Sequence, residues 1–194
     1  MSSFRRRSPQ RSEQRKMEKV AAVLLRLPLL WLSLSCLPWL PHASSSCSGT
    51  ISSPEYDALQ ALFDSTNGGN WSWVATEPNS THWTFPSPLS TPCSKSWQGL
   101  SCISMIKSTS GAECGISVLN LEFFNLQGTI PSSMGNLTNM IEFELPFNSL
   151  SSTIPSELGR LLSLQNIQMN SNSLNGTIPS EFGQFSLLKE LYMD

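Results

Sequence analysis

Basic residues are scarce in most of this chain, and their distribution is uneven. Residues 47–194 contain four Lys or Arg against twelve Asp or Glu, a formal net charge of −8, although the whole chain has a net charge of only −2. A nucleic-acid-binding protein needs clustered Lys and Arg to displace counterions from the phosphates. We therefore exclude nucleic acid as a partner.

The motifs of common catalytic and metal sites are also missing. There is no glycine-rich phosphate loop ending in Lys-Ser or Lys-Thr, and no G-x-S-x-G nucleophile turn. No C-x-x-C spacing occurs, and the two histidines lie apart from the cysteines, so neither a metal nor another cofactor is predicted. His82 is the only histidine in residues 47–194, and we interpret it as a surface or packing residue. The chain is predicted not to be an enzyme.

Residues 1–46 have the order of a secretory signal. They hold eight Lys or Arg, an apolar run over residues 20–40, and small residues from Ala43 to Ser46. This order predicts a signal peptide that is cleaved near Ala43–Ser45. The predicted location is therefore secreted, or on the extracellular face of the plasma membrane.

An uncleaved signal anchor is the alternative for the same segment. The 21-residue apolar run is long enough in principle for the roughly 20 residues of a spanning helix. However, Arg26, Pro28 and Pro38 interrupt it, and a charge in the middle of a membrane is costly. In both cases residues 47–194 are predicted to face the lumen or the outside. A membrane is otherwise expected only through a span downstream of this chain.

Four cysteines follow the predicted signal, and four N-x-[ST] sequons agree with secretion. An even number of cysteines in an oxidising compartment predicts two disulfides. The sequons predict glycan attachment. The cysteines are Cys47, Cys93, Cys102 and Cys114, and the sequon asparagines are Asn70, Asn79, Asn136 and Asn175.

Three Ile-Pro pairs stand 24 residues apart, and their surroundings repeat in register. The pairs are Ile130-Pro131, Ile154-Pro155 and Ile178-Pro179. Each is preceded four residues earlier by a leucine and followed four residues later by a glycine. A fixed period with this many matched positions indicates a solenoid, whose units bury their apolar faces against one another.

The repeat resembles the plant-type leucine-rich repeat, L-x-L-x-x-N-x-L-x-G-x-I-P, over roughly residues 116–194. The resemblance implies an α/β solenoid with short parallel strands on a concave face. Three repeats and the start of a fourth are expected. The Ile of each Ile-Pro pair is predicted to point into the core, as are the alternating strand residues Leu119, Leu121, Phe143, Leu145, Ile167, Met169, Leu191 and Met193. Asn148 and Asn172 occupy the ladder position, where an amide can bond backbone groups of neighbouring turns. In the first repeat this position is Phe124, as expected beside a cap.

Residues 47–115 resemble the N-terminal cap of plant and protist leucine-rich repeat ectodomains. The spacing of apolar residues predicts a helix over about 54–65, with Ser53 as its cap. The element from Cys93 through Trp97 to Cys102 matches the cap's cysteine motif, with two extra residues between the cysteines. The next cysteine is expected in an extra loop over Ile103–Gly115.

Two disulfide pairings follow from this resemblance. The first joins Cys93 to Cys102 and Cys47 to Cys114. The second joins Cys47 to Cys93 and Cys102 to Cys114, as in the paired-cysteine caps of inhibitor proteins. In either case the cap would cover the first repeat, since an open solenoid end exposes its core.

The chain ends at Asp194, two residues before the fourth ladder asparagine would fall. We therefore expect an array that is truncated at its C-terminal end. Its last strand would stack on one neighbour only. Leu191 and Met193 are predicted to be partly exposed.

A ligand-binding surface is predicted on the strands, where the residues between the core leucines stand on the concave face of such repeats. This face is acidic at its ends and amide-rich at its centre, which favours a cationic or hydroxyl-rich ligand. Aromatic anchors commonly carry interface energy. The predicted ligand-binding residues are Glu122, Glu142, Glu144, Phe147, Asn166, Gln168, Asn170, Glu190 and Tyr192.

Three functions are considered for this surface. The first is an extracellular or receptor-ectodomain module that recognises a protein, peptide or glycan. The second is a secreted inhibitor of cell-wall-degrading hydrolases, similar to polygalacturonase-inhibiting proteins. A distant third is a glycoside-active enzyme that uses Glu142 and Glu144, since paired carboxylates hydrolyse glycosides. On a repeat surface such a pair is more often solvated charge.

Overall fold

A computed structural model describes Cys47 and residues 49–73, 80–85, 92–105 and 113–193. The predicted signal segment 1–46, the Asn79 sequon and Asp194 lie outside the described residues.

A single α-helix (α1, Ser53–Ser65) opens the described cap. It begins one residue earlier than predicted, and its cap is Ser52, not Ser53. The Glu55 carboxylate accepts hydrogen bonds from the Ser52 amide at 3.1 Å and from the Ser52 hydroxyl at 2.9 Å. This capping box satisfies donors that the first turn leaves free. The helix ends where Thr66 donates to the Leu62 carbonyl and Asn67 turns to φ 61°.

The described parts of the segment predicted as an extra loop, residues 103–105 and 113–115, belong to two paired β-strands, which corrects the sequence interpretation there. Strand β1 (Leu100–Met105) pairs antiparallel with β2 (Glu113–Asn120). The sequence of β1, Leu-Ser-Cys-Ile-Ser-Met, has two apolar residues in succession at Cys102 and Ile103, so its alternation of apolar and polar residues is interrupted. Every residue of β1 is half-buried or exposed.

Three further short strands continue the sheet from β2. They are β4 (Glu142–Glu144), β6 (Asn166–Gln168) and β8 (Glu190–Tyr192). All pair in parallel, and the sheet order is β1-β2-β4-β6-β8. Each residue faces its equivalent 24 positions later, as in the row Val118, Glu142, Asn166 and Glu190. The repeat period therefore sets the strand register.

A second parallel sheet is formed by short strands that come just after the ladder positions in the sequence. The sequence analysis did not predict it. It consists of β3 (Gln127–Gly128), β5 (Ser149–Thr153) and β7 (Ser173–Asn175). After the Ile-Pro pairs the chain forms 3₁₀ segments at Ser132–Asn136, Ser156–Arg160 and Ser180–Gln184. One repeat is thus a strand of each sheet followed by a 3₁₀ turn.

The core lies between these elements, and its burial declines toward the last repeat. The predicted inward residues Leu119, Leu121, Phe143, Leu145, Ile167 and Met169 are all buried. Ile130 is also buried and Ile154 is half-buried, but Ile178 is 55% exposed, contrary to the expectation that every Ile of these pairs points into the core. Leu191 is 41% exposed and Met193 is half-buried, which confirms their predicted partial exposure.

The ladder asparagines bind neighbouring turns as predicted. The Asn148 amide donates to the carbonyls of Leu121, Leu145 and Pro146 at 2.8–3.1 Å and accepts from the Leu126 amide at 2.9 Å. Asn172 makes the equivalent bonds one repeat later. Each side chain therefore joins two successive coils.

Phe124 replaces this asparagine in the first repeat because it packs against the cap. Its ring lies 6.3 Å from Trp71 and 5.7 Å from Trp73, both edge-on. Trp83 and Trp97 extend the cluster and stack on each other at 5.3 Å. An aromatic residue buries more apolar area against the cap than an amide would. The row of ladder asparagines therefore starts in the second repeat.

The cap contains the first of the two disulfide pairings considered. Cys47 is bonded to Cys114, and Cys93 is bonded to Cys102. The first bond ties the segment before α1 to the start of β2, where the Cys114 amide also donates to the Thr50 carbonyl at 2.8 Å. The second ties the segment before β1 to β1 itself.

Candidate recognition surface

The main sheet presents one row of side chains away from the core, which we call the strand face. It consists of Asn120, Glu122, Glu142, Glu144, Asn166, Gln168, Asn170, Glu190 and Tyr192. The parallel register brings the predicted carboxylates and amides of different repeats side by side. Glu122, Glu190 and Tyr192, at the two ends of this surface, are exposed, whereas its other residues are half-buried. The predicted residues thus form one continuous surface, apart from Phe147, which lies at its edge.

Glu144 is the hub of this surface. Its carboxylate accepts hydrogen bonds from the Asn120 and Asn166 side-chain amides, each at 2.6 Å, and from that of Gln168 at 3.5 Å. The Asn120 carbonyl oxygen in turn accepts the Glu122 backbone amide at 3.1 Å. The sequence analysis predicts solvated charge here, which is wrong for Glu144 because side chains of the two neighbouring strands converge on it. The carboxylate is held in place by neutral donors.

This position changes the acidity of the Glu144 carboxyl. Partial burial raises its pKa above the ordinary value for glutamate, and the negative charges of Glu142, Glu122 and Glu190 raise it further. Both effects disfavour the charged form. The strand face is therefore a coupled acidic surface on which Glu144 takes up a proton more readily than an isolated glutamate does.

Changing Glu144→Gln should remove a pH-dependent part of the stability. Because the folded pKa is raised, the folded protein binds this proton more tightly than the unfolded chain does. The stabilisation is present below the unfolded pKa of about 4.3 and is lost as pH rises through the folded pKa. Relative to the Gln variant, the wild type should therefore lose unfolding free energy between about pH 4 and pH 7. Urea unfolding at both pH values measures this difference, and an unchanged difference would contradict it.

Two exposed phenylalanines border the strand face. Phe123 and Phe147 are equivalent residues of the first two repeats, and their rings stack at 4.5 Å with planes only 9° apart. They are 61% and 45% exposed. Phe147 was a predicted anchor, whereas Phe123 was missed. Its position 24 residues before Phe147 was the signal that could have identified it.

The remaining predicted residues are placed as follows. Tyr192 is 53% exposed on β8. Of the sequon asparagines, Asn70 and Asn175 are exposed and Asn136 is half-buried. His82 stacks on Trp73 at 4.7 Å, in agreement with a packing role at the surface. Glu142 and Glu144 both lie on β4, as expected.

The described residues contain no grouping of His, Cys, Asp and Glu that could hold a metal ion. Within the same part of the chain, no helix has the length and apolar character needed to cross a membrane.

Comparison with solved structures reveals similar folds among plant receptor ectodomains. The LRR ectodomain of the receptor kinase SOBIR1 from Arabidopsis thaliana matches with a TM-score of 0.58 and 22% identity, over 74% of this chain and 67% of that one. A chain of the BIR3–SERK2 complex from the same plant matches with a TM-score of 0.52 and 26% identity, over 70% and 65%. The Arabidopsis BIR2 ectodomain matches with a TM-score of 0.53 and 24% identity, over 75% and 68%.

This chain thus spans about two thirds of the length of each of these structures. No protein-family model matches the sequence, and no curated protein matches it significantly. Three features of this chain agree with the structural similarity. They are the 24-residue repeat, the parallel sheet that pairs residues 24 positions apart and the disulfide-bonded cap. The protein therefore has the fold of a plant-type leucine-rich repeat ectodomain.

Proposed function

We propose that this protein is an extracellular recognition module whose strand face binds a protein, peptide or glycan. The observation that carries the proposal is the organised polar surface around Glu144, which is bordered by the exposed Phe123–Phe147 stack. A merely soluble face has no need of a half-buried carboxylate held by amides from two other strands. Solenoids use such extended faces for binding.

In the proposed organisation, residues 1–46 are the signal, 47–115 the cap and 116–194 the repeats. The two disulfides support passage through an oxidising compartment. The similar BIR3–SERK2 structure is itself a complex of two proteins, which favours a protein or peptide partner for this chain as well. The sequons at Asn70 and Asn175 are exposed, as glycan attachment after secretion requires.

Charge reversal on the strand face tests the proposal. The change Glu122→Lys with Glu190→Lys reverses two exposed carboxylates without touching the hydrogen bonds of Glu144. Attraction between opposite charges raises association rates and is screened by salt. The immobilised full chain captures its partner from a mixture of extracellular proteins, and the amount captured is measured. The charge reversal should abolish this capture or reduce it in a salt-dependent way.

The matched control is Glu157→Lys with Glu181→Lys, on the 3₁₀ segments away from the strands. This variant should capture the same partner as the wild type does. Loss of the partner with the control pair and retention with the strand-face pair would place the binding site elsewhere. Circular dichroism of all three proteins checks that the fold is retained.

A further inference from the structure

We propose that the Phe123–Phe147 stack and the adjoining carboxylates bind an arginine side chain of the ligand. This inference rests on the proposed function, because it specifies the chemistry that the strand face recognises. It concerns one end of that face, where the strands of the first two repeats turn toward the second sheet.

The backbone at this position does not favour phenylalanine. Phe123, Phe147 and Ser171 are equivalent residues of three repeats, and their φ angles are 60°, 55° and 57°. The turn therefore requires the left-handed conformation in every repeat, where glycine and asparagine are the residues best tolerated. A bulky aromatic residue is unfavourable there, and two of the three repeats carry one.

Burial does not account for these residues either. Both rings are largely exposed, and neither belongs to the buried core. Their mutual stacking covers one face of each ring, and a large part of each side chain stays exposed. The result is an exposed aromatic surface beside the strand face. Large exposed aromatic groups of this kind are typical of binding anchors.

The negative charge near the stack indicates which kind of ligand group would bind there. Glu122 directly precedes Phe123, and Asn120 links the Glu122 backbone to the Glu144 carboxylate through bonds of 3.1 and 2.6 Å. The strand face has four glutamates and no Lys or Arg. The partner group must therefore be cationic and flat enough to lie on an aromatic ring.

Arginine meets both requirements better than its alternatives do. Its planar guanidinium stacks on aromatic faces and bonds a carboxylate through paired donors, whereas the lysine ammonium is a compact, strongly hydrated charge. A neutral glycan would also stack and donate hydroxyl hydrogen bonds to the carboxylates, but it carries no positive charge to balance the four glutamates. The occupant that fits is a protein or peptide segment that exposes arginine.

Labelled synthetic peptides test this directly. The probe is a fluorescein-labelled Gly-Arg-Gly-Arg-Gly peptide, with versions in which lysine or citrulline replaces arginine, measured by anisotropy against the full chain. Citrulline keeps the shape of arginine but removes its charge. The arginine peptide should bind most tightly, the lysine peptide less tightly, and the citrulline peptide should lose most of the binding. Equal binding of the arginine and citrulline peptides would overturn the proposal.

Asparagine substitutions provide the matched variants. Phe123→Asn with Phe147→Asn removes the aromatic stack while suiting the left-handed backbone, so the fold should be retained. This change should weaken binding of the arginine peptide about tenfold, the scale expected for a cation–π contact. Ser171→Asn introduces the same residue at the equivalent position of the third repeat and should leave the affinity unchanged.

Two results would overturn the proposal at this stage. The first is unchanged affinity in the double Phe variant, and the second is an equal loss in the Ser171 variant. If the double variant unfolds, the single change Phe147→Asn answers the same question, since it also breaks the stack. If the charge-reversal experiment identifies a strand-face partner but the arginine peptide does not bind, this inference fails and the proposed function stands.

Discussion

Removing the Cys47–Cys114 disulfide by changing both residues to serine should lower the free energy of unfolding by about 4 kcal/mol. This bond closes a loop with a sequence separation of 67 residues, and a long loop loses much of its entropy in the unfolded chain when it is cross-linked. It also secures the segment before α1 against β2. Urea unfolding followed by fluorescence of the buried Trp71, Trp83 and Trp97 measures the loss.

The second disulfide is the internal control for this prediction. Cys93 and Cys102 have a sequence separation of only nine, so the same change there should cost about 2.5 kcal/mol. The difference between the two variants tests loop length as the cause, because both bonds lie in the same cap. A larger loss for the short loop would show that contacts in the folded cap, and not loop entropy, dominate.

Changing Asn148→Ala should lower the free energy of unfolding by about 2–4 kcal/mol, because several backbone groups lose their hydrogen bond to this side chain. The side chain donates hydrogen bonds to carbonyls of two coils and accepts one from a backbone amide. Alanine can replace none of these bonds. Denaturant unfolding measures the change, and hydrogen exchange at the Leu126 amide reports it locally.

Asn170→Ala is the matched control, since it removes the same side chain from the strand face. The Asn170 amide makes a single long contact of 3.5 Å with the Ser171 hydroxyl. Its loss should change stability by less than about 0.5 kcal/mol. If both variants lost the same unfolding free energy, the hydrogen bonds of the ladder asparagine would contribute no more to stability than the Asn170 side chain does.

The repeats were predictable from sequence because the same residue types recur every 24 positions. Leu119, Phe143 and Ile167 recur with the strand register, so their burial follows once the solenoid is inferred. The ladder asparagines were predictable for the same reason. One structural unit determines each of these positions, and the next unit repeats it.

The cap and the centre of the strand face were harder to predict because their contacts join distant segments without a period. Glu144 accepts bonds from Asn120 and Asn166, which are 24 and 22 residues away, and no local pattern shows that both amides turn toward it. The alternation of apolar and polar residues is interrupted within β1, and its residues 103–105 were assigned to a loop. Ser52 was missed as the helix cap because Ser53 offers the same side chain one residue later.

The junction between the cap and the first repeat is continuous in its hydrogen bonding. The Gln127 and Thr129 amides donate to the carbonyls of Thr66 and Ser65 at the end of α1, at 3.1 and 3.2 Å. Gly128 lies between them, and a side chain there would collide with the Ser65 carbonyl. The helix end thus occupies the place that a preceding strand of the second sheet would take.

This junction gives the array a direction. Because the end of α1 takes the place of a preceding strand in the second sheet and the antiparallel β1 precedes β2 in the main sheet, the parallel stacking of the described residues begins at β2. A 24-residue unit inserted between β4 and β6 would preserve every register in the chain. It would widen the strand face by one strand, about 4.8 Å. The architecture therefore allows the size of the strand face to change by whole repeats while the cap stays constant.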